Sequence, residues 1–295
     1  MSRVPNINLS SILVPVDFSE FSLAALEFAR LFAAKTKAKI YLIHVIETYE
    51  YNVAIDLPIE IDIKQVVREG IEKKLNEIAD QYLKPFNIDY ENIISEGKIY
   101  KAIEQTVIEK GIGLVVMGTR GASVSFVEDP GRYVLGSNAY KVVRTAPCPV
   151  ITLSKKKEPL QIKKIVLPLD VTKETTQKVG IAIKLAKLFG ATIHAISVSS
   201  LWDEYLHDIS RLKWLLDRVV EEIKKEGIPV VTHMLRHDKV SKSVVEYADS
   251  VDADLIVIMV RQERKWNEMI IGSTARAVIE NATVPVMSIK PTKPE

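Results

Sequence analysis

Cysteine is almost missing from this sequence: Cys148 is the only one among 295 residues. An intramolecular disulfide is therefore impossible, which excludes a disulfide-stapled scaffold and suits a reducing, cytoplasmic setting. A strong charge excess is missing too. Lys and Arg number 40 against 38 Asp and Glu, for a net +2, so composition singles out neither nucleic acid nor an acidic membrane as partner. No long apolar run occurs. LIVIMV at 255–260 is among the most apolar stretches and falls far short of the ~20 residues of a spanning helix. The opening MSRVPNINLSS carries no apolar core of a secretory signal, so the expectation is a cytoplasmic protein. Nor is there a GxxxxGKS or GxxxxGKT stretch, which removes the Walker-type phosphate loop with its lysine.

What is present fits a soluble globular chain, 47% hydrophobic and 26% charged, long enough for two domains with separate cores. Apolar runs alternate with segments of helical period, the pattern of an α/β fold with a parallel sheet. The first series is ILVPVD (12–17), IYLIHVI (40–46), GLVVMG (113–118) and PVITLS (149–154). The second is IVLPLD (165–170), IHAISV (193–198), LIVIMV (255–260) and PVMSIK (285–290). Such continuous runs suit strands covered on both faces by helices. NIISEG (92–97) and PVVTHMLR (229–236) read as weaker third strands, and 22–34, 64–83 and 214–227 as amphipathic helices.

The two series are in register. Pro15 and Asp17 correspond to Pro168 and Asp170 at an offset of 153, which Ile40 and Ile193 keep. Gly136-Ser137 corresponds to Gly272-Ser273, and Pro149 to Pro285, at an offset of 136. This is an internal duplication. It predicts domains at 1–154 and 162–295, joined by the solvated connector Lys155–Gln161.

One loop invites chemistry. MGTRGASVSFVEDPGRYVLGSNA (117–139) sets Gly118, Gly121 and Gly136 between a strand and a helix. Phosphate oxygens need several backbone N–H groups converging on them, and glycine both clears the approach and permits positive φ. Gly136-Ser137 stands where a helix begins, so free amides, the helix dipole and the Ser137 hydroxyl all favour an anion. The second repeat has Met259 and Gln262 at the positions of Gly118 and Gly121. On this comparison the fold itself does not demand those glycines, and their presence in one copy points to a ligand there.

PVDFSE after the first strand, HVIE after the second and the glycine loop after the fourth resemble the universal stress protein family, across both halves. The resemblance implies two tandem doubly wound domains, each a five-stranded parallel sheet of order 3-2-1-4-5 flanked by helices. It also implies an adenine-nucleotide site in the crevice where the connections of strands 1 and 4 diverge. Carried over, Asp17 would face the adenine amino group, Pro15 and Val16 would line the pocket, and backbone at Val45 would complete the base contact. Met117 and Gly118 would meet ribose and α-phosphate, with Gly121, Gly136, Ser137 and Asn138 on the remaining phosphates. ATP would carry Mg²⁺ on its phosphates, with no metal site built from side chains. The fifth strands would pair the two domains as a pseudo-dimer and support a homodimer, with an unknown protein as further partner.

The sequence departs from the family's spacing. The motif expects nine residues between the second glycine and Gly-Ser; here 122–135 intervene, fourteen, an insertion of five. That excursion either covers the crevice or crowds it. The second repeat lacks the first two glycines and is expected to bind no ATP. No nucleophile with a neighbouring base stands out, so no catalytic residue is assigned and at most a weak ATPase is expected. A nucleotide-free scaffold and a slow nucleotide-hydrolysing or transferring enzyme are the alternatives. Asp17 and Ser19 also suit a plain helix cap. His44 reads as a satisfied strand histidine, His233 and His237 as no metal pair, and Cys148 as a small buried hydrophobe.

Overall fold

The computed structural model describes residues 7–47, 63–120, 135–156, 158–170, 175–199, 208–236, 239–260, 262–265 and 268–291. The chain divides into two compact units, one built from residues 8–128 and 136–150, the other mainly from 151–295. Among the described residues no helix is long and apolar enough to cross a membrane.

In the first unit the elements are β1 (Ser11–Pro15), α1 (Glu20–Thr36), β2 (Lys39–Ile46), α2 (Ile63–Tyr82), a short 3₁₀ turn (Lys84–Phe86), β3 (Tyr90–Glu96), α3 (Ile99–Glu109), β4 (Leu114–Gly118), α4 (Ser137–Thr145) and β5 (Val150–Leu153). The strand order is β3-β2-β1-β4-β5, as expected. β1 lies parallel to β2 along its whole length and to β4 through Ile12↔Leu114 and Leu13↔Val115. Ile12, Leu13 and Val14 are fully buried one after another, which only a strand sandwiched between helix layers permits. α1 supplies one layer. Ser19 caps its start by accepting from the Ser22 amide, and Lys37 ends it in the left-handed region. Its Phe28 and Phe32, both at most 1% exposed, each stabilise the core by ~2–3 kcal/mol.

The second unit repeats the pattern: β6 (Lys164–Leu169), α5 (Thr175–Phe189), β7 (Thr192–Ser199), α6 (Asp208–Lys225), β8 (Val230–Arg236), α7 (Val240–Ser250), β9 (Leu255–Met259), β10 (Gln262–Lys265), β11 (Glu268–Ile271), α8 (Ser273–Asn281) and β12 (Val286–Ile289). Its order is β12-β9-β6-β7-β8, the first unit's order read from the other end. Two boundaries differ from expectation. α6 begins at Asp208 rather than 214, and Trp214 is 58% exposed, so that residue is not where the buried face starts. The segment after β9, for which the sequence suggests no element, is an antiparallel ribbon pairing Gln262 with Ile271 and Lys265 with Glu268.

Residues 151–153 of β5 pack with the second unit. There Thr152 Oγ1 donates to the Val286 carbonyl at 3.4 Å and Ser154 Oγ to the Ala282 carbonyl at 2.8 Å.

The repeats solve one shared problem differently. A Cβ at Gly113 would lie 1.4 Å from the Asn8 carbonyl oxygen, so glycine admits the chain there. At the corresponding position Asp254, 2% exposed, accepts from the Lys163 and Lys164 amides at 2.7 and 2.9 Å.

Candidate functional site

β1 and β4 are hydrogen-bonded neighbours, and both finish at the same end of the first sheet. Pro15, Val16 and Asp17 follow β1 to that end; Met117 and Gly118 close β4. The Gly136 amide donates to the Thr119 carbonyl at 2.8 Å, and this bond brings the start of α4 beside the end of β4. Eight of the ten anticipated residues thus gather at the carboxyl ends of β1 and β4 and the start of α4. Val45 stands one strand away on β2, opposite Ser95 of β3. Gly121 lies outside the described residues, as do residues 122–134 of the inserted stretch.

Asp17 already has local work. Its Oδ1 accepts from the Ser19 amide at 3.1 Å and from the Ser19 hydroxyl at 2.5 Å. The Ser19 oxygen in turn accepts from the Ser22 amide at 3.3 Å. The helix-cap role considered from the sequence is therefore real. A carboxylate's two oxygens offer about four acceptor positions.

Two residues outside the set anticipated from the sequence shape this corner. Phe18 adopts φ 67°, a region disfavoured for a bulky side chain by ~1–2 kcal/mol. Its ring stacks on His44 with centroids 4.7 Å apart, and the Lys74 ammonium lies 4.9 Å from its centroid. His44 is satisfied, as expected: Nδ1 lies 2.6 Å from the Val16 carbonyl. A carbonyl can only accept, so this nitrogen carries the proton. With the Val16 amide donating to the Ile43 carbonyl at 2.8 Å, the chain after β1 is tied to β2 from both its N–H and its C=O. A strained Phe is the kind of feature that clusters at ligand sites, and no spacing rule announces it.

The glycines depart from the expectation of positive φ. The described glycines in that region are Gly97, Gly111, Gly190 and Gly227, whereas Gly136 has φ −58°. Close approach is the reason instead. A Cβ at Gly118 would lie 2.8 Å from Phe21 Cβ and 3.1 Å from the Arg120 carbonyl oxygen. One at Gly136 would lie 3.0 Å from the Thr119 carbonyl oxygen. In this copy the packing of α1 against β4 itself demands Gly118, so its absence from the other copy is not by itself a mark of a ligand.

α4 opens with no side-chain cap, and its first internal bond runs from the Tyr140 amide to the Gly136 carbonyl. The amides of Ser137, Asn138 and Ala139 precede that bond and have no acceptor within the helix. Ser137 is exposed and Asn138 half-buried, so an anion can reach both.

The equivalent end of the second unit is built otherwise. Gly272 starts α8 with φ −54° and nothing within 4 Å of a would-be Cβ. Met259 stands in for Gly118, the Val260 amide donates to the Ile289 carbonyl at 2.7 Å, and Gln262–Lys265 pairs with Glu268–Ile271 as the β10–β11 ribbon. A cavity of about 310 Å³ lies between the ends of β6 and β9 and the starts of α7 and α8. In it Lys178, 5% exposed, meets half-exposed Asp170 at 3.8 Å. Ser197, at the position of His44, is 1% exposed with its hydroxyl unpaired.

Elsewhere, His194 Nδ1 lies 3.0 Å from the Tyr247 hydroxyl. Burial first, then the charges of Lys164 and His233, hold the His194 imidazole below its usual range. His233 is exposed on β8, while His237 lies outside the described residues. Cys148 is half-buried rather than buried.

Comparison with known proteins is consistent over both units. A universal stress protein from Methanocaldococcus jannaschii is 30% identical over 146 residues, covering 45% of this chain and 85% of that protein. A second, from Bacillus subtilis, is 28% identical over 150 residues, 48% of this chain and 97% of the relative. The crystal structure of a universal stress protein from Archaeoglobus fulgidus superposes with a TM-score of 0.72 at 23% identity, covering 97% of this chain and all of that one. With the sequence profile of the universal stress protein family matching residues 9–154 and again 161–290, the chain belongs to that family.

Proposed function

We propose that this is a stress-response protein of the cytoplasm whose first repeat binds ATP as a regulatory ligand, while its second repeat binds no nucleotide. The observation that carries this reading is that Asp17 follows β1 while the uncapped start of α4 is held beside the end of β4, the strand next to it. A carboxylate accepts from the adenine amino group and disfavours guanine, which presents an oxygen acceptor there. The amides of Ser137 and Asn138, the Ser137 hydroxyl and the positive end of α4 suit phosphate oxygens. Pro15, Val16 and Met117 supply apolar wall, and Val45 backbone and Gly118 complete the approach; Gly121 belongs to the same proposal. Mg²⁺, riding on the phosphates, would offset their charge, and no side-chain metal site is needed.

In the second repeat Met259 and Gln262 replace the first two glycines of the loop, and a ribbon follows β9. That repeat serves as the structural partner, through pairing of the fifth strands. The hydroxyl bonds from Thr152 and Ser154 support that pairing, and edge strands invite such association, including a homodimer. ATP would alter a surface read by a protein partner through its differing affinity for two states.

A nucleotide-free scaffold is the second reading, and Gly118 favours it, because packing alone accounts for that glycine. The test is to denature the purified full chain, identify any released nucleotide, and titrate Mg-ATP against Mg-GTP by calorimetry. ATP binding at one site per chain, weakened by Asp17→Asn with reduced preference over GTP, supports the proposal. No binding and an unchanged melting temperature in millimolar Mg-ATP establish the scaffold instead.

A further inference from the structure

The two units end in unlike strands. β3 closes the first unit's sheet and β8 the second's; among the described residues each pairs with one strand only, β2 and β7 respectively. An open strand edge is a template for another strand unless charge or a covering element blunts it. β3 is blunted. None of its residues before Glu96 is exposed, Asn92 donates to Asn76 of α2 at 2.8 Å, and Arg68 of α2 lies 3.9 Å from Glu96. Glu91 holds the ammonium groups of Lys39 and Lys110 at 2.9 and 2.7 Å.

β8 lacks that charge. From Val230 to Leu235 it reads VVTHML, with no Lys, Arg, Asp or Glu. Val231, Thr232, His233 and Met234 are exposed in succession, so both faces of the strand are open. The direction of its backbone groups follows from one bond: the Ile193 amide donates to the Pro229 carbonyl at 2.9 Å. In a parallel pair successive residues turn their N–H and C=O to opposite sides. Val231 and His233 therefore bond toward β7, while Val230, Thr232 and Met234 turn theirs to the outer edge.

We propose that β8 pairs antiparallel with β8 of a second copy about a two-fold axis at Thr232. That register matches all three outward residues, Val230 with Met234 and Thr232 with its own copy, and sets Val231 against His233. It also keeps like charges apart. The two Arg236, each four residues from the axis, stand ~27 Å from one another at ~3.4 Å per residue. Each comes opposite Ile228 of the other copy, two residues from Glu226. The pairing consumes both edges, so association closes at two. The proposal is independent of ATP binding in the first repeat.

Sedimentation equilibrium of the full chain tests it. A single strand pair buries little area, so the expected dissociation constant is about 10–100 µM, within reach of loadings from about 1 to 300 µM. Thr232→Lys and Thr232→Glu each set like charges face to face and weaken association by about fivefold or more. An equal mixture of the two restores it, because lysine then faces glutamate. The proposal is overturned by a monomer at every loading, or by a mixture no tighter than either variant alone. Association that both variants leave unchanged also overturns it, the result that pairing through the fifth strands alone would give. Should a variant fail to fold, hydrogen exchange of the unchanged protein decides: the Thr232 and Met234 amides slow by about threefold or more from dilute to concentrated samples. Equal rates overturn the proposal.

Discussion

At the end of the fourth strand the first repeat carries Gly118 and the second Met259, and each suits its own neighbours. In the first, α1 comes so near that Phe21 Cβ would lie 2.8 Å from any Cβ at 118. In the second, the methionine forms part of the wall of a cavity. The next segment differs in length, fourteen residues between Gly121 and Gly136 against nine between Gln262 and Gly272, and in the second copy it forms a paired ribbon ending at Ile271. A glycine kept in one copy of a duplication is thus ambiguous on its own. It signals a ligand only after close packing has been excluded, and at position 118 packing is present. The weight of the nucleotide reading moves to Asp17 and the start of α4, whose first amides have no acceptor within the helix.

The contrast breaks most readily at its centre. Gly118→Met, which installs the second repeat's residue, should destabilise the protein by about 3 kcal/mol, the upper range for overpacking, because backbone as well as side chain blocks it. Met259→Gly should cost less, about 1–2 kcal/mol, since that side chain is only partly buried. Urea denaturation of both variants checks the order, and the reverse order would refute the packing account.

A finer comparison sets Gly136→Ala against Gly272→Ala. Both lose the same glycine cap, but only the first meets a carbonyl oxygen at 3.0 Å. Its extra cost should be about 1 kcal/mol, the low end for an overpacked site, read as the difference between the two melts.

Acid should separate the repeats further. His194 is held below its usual value of 6.5 in the fold, so the unfolded chain takes up its proton first. Its contribution is complete above that value and is lost as pH falls from there toward the folded value. His194→Gln should therefore lower stability near pH 7.5 and less so near about pH 5.5, by urea melts at each pH. The smallest expected effect is on affinity. Ser137→Ala should weaken ATP by about three- to tenfold, one hydrogen bond's worth, while Ser273→Ala leaves it unchanged by calorimetry.

Much of this architecture can be read from residues alone. ILVPVD and its copy IVLPLD announce buried parallel strands because both faces are apolar, and their spacing fixes the duplication. The ribbon at 262–271 escapes, because QERK and its partner EMII alternate with no period tied to a core. The role of Gly118 depends on a distance to Phe21 that no spacing encodes, although a bulky residue opening α1 is a hint. Lys178 is equally hidden. It sits beside Val179 in a helix whose Ile181 and Ala182 are buried, and a lysine on such a face is the signal that could have found it. Phe18 gives none, since its backbone angle follows from the Asp17–Ser19 turn and the His44 ring beneath it.

The hydroxyls of Thr152 and Ser154 that reach the Val286 and Ala282 carbonyls bear on how this protein can be dissected. A fragment restricted to 162–295 would keep all but the first residue of the second family match, 161–290, yet lose the donors to the Val286 and Ala282 carbonyls. Stripped of them, β12 would offer its bare rim to a second copy. The fragment should then elute at a size that grows with its concentration, so the natural seam for cutting this chain lies between Val150 and Ile151 rather than after Ser154.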